Sequence, residues 1–312
     1  MLEPPLENAS PARRSVLAVL MLVILAVSVV SAEMLVARAR KRIDAGTKIV
    51  ETIHSLGLKH FLPAGPEIDW YIIKSRKGPV GWLARYFRRS RDDNYVGVVI
   101  CDIPGGHKSS QRWSLNADAT RGQYISQVIW ASGRTLKVSI TFSNGEVTVV
   151  RRKRGFLKPE IAKAPSPGNY LPEGTFNLAL GLVAKMRADA QFAMVFDEQP
   201  NFGAVVQFGT ARIRYIDQKA TQHGKVIRVE VISNRFNEKI SQVYYLDETE
   251  RVLQILLPDN KRVVACDEET VLKSFPGALE YLQRFLPQPL GPVDEEIDDD
   301  PMIRLLRHLL SD

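Results

Sequence analysis

The chain has 312 residues, of which 45% are hydrophobic, 25% charged and 8% aromatic, which excludes a collagen-like, low-complexity or disordered class for its bulk. Its two cysteines, Cys101 and Cys266, exclude a disulfide framework and a four-cysteine zinc site. Forty-two Lys and Arg against 35 Asp and Glu give a net charge of +7, spread along the chain; that suits an anionic membrane surface as well as nucleic acid and decides neither.

Residues 1–14 read as an N-terminal tail ending in Arg13 and Arg14. Ser15 to Ala32 then runs for eighteen residues without a charge. As a helix it is about 27 Å long at 1.5 Å per residue, just short of a hydrocarbon core of about 30 Å, and Met34 to Val36 extend it if Glu33 snorkels. A transmembrane anchor over 15–36 is therefore expected. Val30-Ser31-Ala32 also has the small residues of a signal-peptidase site, so a cleaved, secreted form is the competing reading. The apolar run is long for a signal peptide, and the helical pattern continues past Glu33. No cysteine lies near enough to be lipidated. Arg38, Arg40, Lys41 and Arg42 outnumber the basic residues before the segment, which favours a cytoplasmic C-terminal side. The β-rich body that follows suits export instead, and a periplasmic domain on a bacterial inner membrane is the reading adopted.

Residues 37–66 are expected to form a membrane-proximal helix and linker. Ile43, Val50, Ile53 and Leu56 recur near helical spacing, Gly57 stands at a C-terminus, and Pro63-Ala-Gly-Pro66 breaks the pattern. The basic stretch at Arg38–Arg42 reads as a solvated or headgroup-contacting face.

Period two follows. Leu136, Val138, Ile140 and Phe142 share one face and Thr135, Lys137, Ser139 and Thr141 the other; Asn144-Gly145 then predicts a tight hairpin turn before Val147 and Val149. Comparable strands are predicted at 80–89, 93–101, 110–116 and 123–131. After residue 190 the pattern returns around Ala211–Tyr215, Ile227–Val231, 238–246, 251–257 and 261–266. Turns fall at Asp247–Glu250 and Pro258–Asn260. One apolar and one wet face mark an antiparallel sheet. Between the two blocks, 155–174 carries Pro159, Pro165, Pro167 and Pro172 and reads as a connection. In 176–187, Phe176, Leu178, Leu180, Leu182, Val183 and Met186 cover most sides of a helix, which needs burial on most sides. The predicted fold class is α+β, mainly antiparallel β: a half-open β-barrel, or curled sheet, over 67–275 around the helix at 176–187, preceded by the transmembrane helix. Residues 276–312 form a tail: a helix at 279–286, an acidic spacer containing Asp294–Asp300, and a short amphipathic helix at Ile303–Leu310.

No catalytic constellation emerges. The five histidines show no metal-ligand spacing, and no Gly-x-Ser-x-Gly elbow or His-Glu-x-x-His helix occurs. Gly105-Gly106-His107-Lys108-Ser109-Ser110 lacks the spacing of a phosphate loop and reads as a hairpin loop. The runs Arg85–Arg91 and Arg151–Arg154 mix cations with aromatics as single-strand binders do, but strand edges carry such cations to prevent edge pairing, and no nucleic acid is expected. Cys101 and Cys266 read as two free thiols, with a disulfide as the alternative in an exported domain. Asp102, Asp217 and Asp247 sit where turns favour Asp, so an enzyme is the weakest reading, and no cofactor or metal is expected.

The stretch Trp70-Tyr71-Ile-Ile-Lys-Ser-Arg-Lys-Gly78-Pro-Val-Gly81-Trp82 resembles the opening of an uncharacterised bacterial family of envelope proteins. Lys239 to Cys266, with Tyr244-Tyr245-Leu246-Asp247 and Leu257-Pro258-Asp259-Asn260, resembles its closing hairpins. The resemblance covers roughly 68–272 and implies a half-open β-barrel similar to the lipoprotein carriers LolA and LolB. The apparent anchor departs from soluble carriers, and no residue role carries over. The expected function is a single-pass, membrane-anchored, non-catalytic module whose β-rich domain binds a lipid, acyl chain or lipoprotein. Its candidate cavity residues are Trp82, Tyr124, Trp130, Phe142, Leu180, Val183, Met186 and Tyr215, against the alternative that these form a dry core. The second reading is a structural or assembly component that meets envelope proteins through the anchor and the helix after it.

Overall fold

A computed structural model describes residues 11–62, 65–90, 94–153, 159–196, 205–222, 224–235 and 238–286. The acidic spacer, Asp294–Asp300, and the amphipathic segment expected at Ile303–Leu310 lie outside the described residues.

One uninterrupted helix, α1 (Pro11–Leu56), begins before Arg13 and Arg14 and runs for 46 residues, about 69 Å. Leu20 to Val36 is exposed along its whole length, and Leu20–Leu56 is long and apolar enough to cross a membrane. From Gly46 onward the same helix enters the body of the protein, burying Ile49, Val50 and Ile53. It stops at Gly57, whose φ of 71° is a left-handed conformation that glycine tolerates without strain. The Leu58 amide then donates to the Ala117 carbonyl at 2.7 Å.

The body is one 14-stranded antiparallel sheet. Its strands are β1 (Glu67–Ser75), β2 (Gly78–Arg89), β3 (Tyr95–Asp102), β4 (His107–Leu115), β5 (Gly122–Trp130), β6 (Thr135–Ser143), β7 (Glu146–Lys153) and β8 (Glu160–Pro165), followed by β9 (Asp189–Met194), β10 (Gly209–Thr221), β11 (Gly224–Arg235), β12 (Glu238–Leu246), β13 (Val252–Leu256) and β14 (Arg262–Cys266). Each strand pairs with its sequence neighbour, except that the first pairs with the last: Trp70 faces Cys266 and Lys74 faces Arg262. The two predicted strand blocks are therefore one sheet joined at β1–β14. Its free edges, β8 and β9, are consecutive in sequence. Asn144 and Gly145, with φ of 52° and 77°, make the predicted turn between β6 and β7. Where β3 passes β4, Gly97 faces Trp113, and the indole occupies the space a Cβ at 97 would need.

The seam between the edges is bridged by flanking segments. Leu171 donates to Ala193 at 2.9 Å, Ala193 donates to Asn169 at 3.0 Å, and Lys163 bridges Val205. The segment 155–174, read from sequence as a connection between the two strand blocks, contains β8; its prolines bound an edge strand, where a missing N–H costs no ladder bond. The connection then carries α2 (Phe176–Met186), which lies against the concave face, packs on β10 and β11, and ends at Arg187 in a left-handed conformation. Ala179, Leu180, Val183 and Ala184 are buried in a core that also holds Ile49 and Ile53 of α1. The curled sheet thus closes around two helices, the second of them the expected plug.

The convex face over β1–β3 is covered as well. Two short helices, α3 (Glu268–Ser274) and α4 (Ala278–Gln283), pack there on Trp70, Trp82, Ala84, Tyr86, Val98 and Ile100. The Asp267 carboxylate caps α3 by accepting the Thr270 amide at 2.8 Å. Trp82 meets Tyr281 edge to face at 6.2 Å, and Lys108 lies 4.9 Å from the Tyr281 ring centroid. Cys101 packs with the concave core and Cys266 with this convex cluster, and both thiols are free.

Candidate binding chamber

The concave core is not filled everywhere. Beside the first turn of α2, Phe176 and Asn177 leave a chamber of about 280 Å³ against the strands that close the sheet. Tyr71 of β1, Leu83 and Arg85 of β2, Val231 of β11, Tyr244 of β12 and Val263 of β14 line it. A second chamber of about 210 Å³ opens towards Phe61 and Leu62 after α1 and towards the β12–β13 turn at Thr249–Arg251. Arg85, Val99, Gln111, Glu173, Phe176 and Asn177 line both and form the partition between them. The β1–β14 pairing creates this site, because it brings β2 and β12 to opposite sides of one apolar hollow.

Its charges are largely tied to one another. Arg85 donates to the Asp69 Oδ2 from Nε at 3.0 Å and from Nη2 at 2.6 Å. Arg251 reaches Asp69 Oδ1 at 3.4 Å and pairs with Glu67. The larger chamber holds two buried phenols. Tyr244 donates its hydroxyl hydrogen bond to Gln242 Oε1 at 3.2 Å. The Tyr71 hydroxyl makes no hydrogen bond among the described residues, although Tyr71 is only 5% exposed. Burial pushes Tyr71 up to about 12, with Arg85 opposing and Asp69 reinforcing the shift. Burial raises Tyr244 too, and the Glu173 carboxylate adds to it. Both phenols are thus neutral O–H donors at ordinary pH.

The expected lining set does not converge. Leu180 and Val183 are fully buried in the core without facing the chamber. Tyr124 and Phe142 border only a crevice of about 10 Å³, at the threshold for one water, with Phe142 packed on Tyr170 at 5.8 Å. Trp82 is on the convex face, Trp130 ends β5 with Arg134 lying 5.8 Å from its ring, and Met186 is 44% exposed at the end of α2. Tyr215 is partly buried, with Arg187 lying 5.8 Å from its ring. Alternation along β2 shows that two faces differ; it does not show which one is concave when both are covered. Tyr71, Arg85, Phe176, Asn177 and Tyr244 are the residues that the earlier set lacks. Their common signal is proximity to strands that meet only through β1–β14.

Other motifs have structural positions. Gly105 and Gly106 form the β3–β4 turn, where the Gly106 amide donates to Ile103 at 2.8 Å. Arg151 is 3% exposed and donates to the Phe196 carbonyl at 3.2 Å, so it is no part of a surface cationic patch. Asp217 binds Arg228 across β10–β11, Asp102 pairs with Lys108 at 3.0 Å, and Asp247 accepts the Thr249 and Arg251 amides at 2.8 and 2.9 Å. Among the described residues no group of three or more His, Cys, Asp and Glu could hold a metal ion.

No protein-family model matches the chain, and no curated protein matches it. Among solved structures it is similar to the crystal structure of a beta-barrel-like protein of domain of unknown function DUF1849 from Brucella abortus. That similarity covers 66% of this chain and 98% of the other, at 12% identity and a TM-score of 0.45.

Proposed function

We propose that the protein is a non-catalytic binding module of the cell envelope, held at a membrane by α1, whose concave chamber takes a lipid or acyl ligand. The observation that carries this reading is the chamber itself. A half-open hollow of about 280 Å³ between a curled sheet and a helix, with Leu83, Val231 and Val263 beside Arg85, Gln111 and Glu173, is close to the smallest usual ligand pockets. Its size is about twice that of an apolar cavity that admits benzene. A longer acyl chain would extend through the Phe176 partition towards Phe61 and Leu62. A binding role is favoured over catalysis by the pairing of Asp69, a carboxylate of the second chamber, with Arg85 of the partition. A periplasmic placement of the domain is part of the same proposal, and the single apolar helix ahead of it is the feature that supports it.

The test is lipid extraction and native mass spectrometry of the full chain in nanodiscs, with displacement of a fluorescent fatty acid by unlabelled lipids. A saturable, displaceable signal above that of empty nanodiscs is expected. No bound lipid and no displacement overturns the proposal.

A further inference from the structure

Resting on that reading, we infer that the chamber selects an uncharged acyl derivative, an ester or amide, whose carbonyl oxygen accepts a hydrogen bond from the Tyr71 hydroxyl. Three observations converge on this class. Tyr71 is 95% buried and lines the chamber, yet its hydroxyl has no acceptor among the described residues. The hydroxyl oxygen itself keeps accessible surface in the chamber, so a ligand acceptor can reach it, and one such bond is worth about 0.5–1.5 kcal/mol net. The neighbouring Tyr244 hydroxyl is already satisfied by Gln242, so the vacancy is for one acceptor and belongs to one side chain.

Charge then decides what kind of acceptor. Among the described residues the one cation lining this chamber, Arg85, is neutralised by two bonds to Asp69, and Glu173 adds a carboxylate to the same wall. An ionised fatty acid would bring a further negative charge into a hollow whose positive charge is spent, and would lose hydration without a free counterion. A neutral carbonyl escapes that penalty. The apolar remainder of the ligand lies along Leu83, Val231 and Val263. Because burial keeps Tyr71 protonated well above neutrality, the donor persists across physiological pH.

The experiment compares methyl octanoate, octanoic acid and octane on the full chain in nanodiscs at pH 7.5, with empty nanodiscs as the reference. Methyl octanoate is expected to bind more tightly than octanoate. Tyr71→Phe, which keeps the ring and removes the hydroxyl, is expected to weaken the ester about 3- to 10-fold and to leave octane unchanged, the worth of one net hydrogen bond. A second readout needs no variant: the infrared carbonyl stretch of the bound ester in the unaltered protein is expected to shift to lower frequency. Tighter binding of octanoate than of the ester, an unshifted carbonyl, or an unchanged ester affinity in Tyr71→Phe overturns this inference while leaving the acyl-binding module standing. If none of the three probes binds, the binding module itself falls.

Discussion

Gly46 of α1 packs backbone to backbone on Gln191 of β9: a Cβ at position 46 would stand 2.1 Å from the Gln191 carbonyl oxygen. The same carbonyl accepts from Asn169 Nδ2 at 2.9 Å, so it has no room to retreat. This contact is where the long helix becomes part of the barrel. Gly46→Leu is expected to lift α1 from the β9 edge and to cost about 1–3 kcal/mol or more, as overpacking does. Thermal unfolding of the full chain measures that loss. Limited trypsin digestion, with new cleavage after Arg42 and Lys48, locates it.

The second helix makes a complementary prediction. Leu180 and Val183 are fully buried. Leu180→Ala is expected to destabilise the fold by about 2–5 kcal/mol, against less than 1 kcal/mol for Met186→Ala at the exposed end. Urea unfolding of the two variants side by side checks the ordering; equal losses would mean that α2 is not held as described.

Trp82 separates stability from binding. Its indole packs under α3 and α4, on the face opposite the chamber. Trp82→Ala is expected to cost about 3–5 kcal/mol and to expose the chain after Arg284 to protease. Under conditions where the variant remains folded, the affinity of the chamber for an apolar probe should be unchanged.

Alkali should unfold the protein in a defined window. The buried phenols of Tyr71, Tyr170 and Tyr244 ionise above their ordinary value near 10, Tyr71 at about 12, in each case chiefly because burial disfavours the phenolate. Between pH 10 and 12 the unfolded chain loses these protons and the folded chain keeps them. Stability is therefore fully present below pH 10 and falls as pH rises through the window, by about 1.4 kcal/mol per pH unit for each group. Denaturant titrations from pH 8 to 11.5, with tyrosinate absorbance at 295 nm followed alongside, test this. A phenolate signal at pH 10.5 that falls when Tyr71 is replaced by Phe in the still-folded protein would contradict the burial of that ring.

The thiols give a milder probe. Burial pushes Cys101 up to about 11, with Asp102 adding to it, and raises Cys266 as well. Maleimide at pH 7.5 is expected to label the native protein slowly, Cys101 more slowly than Cys266, and both at once in denaturant. Intact-mass measurement counts the adducts.

Local patterning carried much of the architecture. The alternation Leu136, Val138, Ile140, Phe142 and the Asn144-Gly145 turn are properties of adjacent residues, and the helix at 176–187 is evident from its own apolar girth. What could not be read locally is what depends on remote pairing. Pro159 and Pro165 conceal β8 because proline signals a break except on a sheet edge. In β9 only Asp189 to Phe192 alternate, a run too short to stand out directly after the helix that precedes it. Trp82 and Tyr71 belong to strands paired with each other and are equally apolar in context; only the arrival of α3 and α4 decides which side is convex. The candidate site followed the same rule: Leu180 and Val183 are legible as core, while the meeting of Tyr71, Arg85 and Tyr244 waits on β1 finding β14.

A helix without a joint also sets the mechanics. Nine residues, 37–45, separate the end of the apolar stretch at Val36 from Gly46, the first residue of the helix buried in the barrel. At 1.5 Å per residue that standoff is about 15 Å. With Leu20–Val36 in a bilayer, the barrel is a head on a stiff mast rather than a float on a tether. Its height is fixed, its swing is limited to the lean of the mast, and whatever it exchanges with must come to that one level above the lipid.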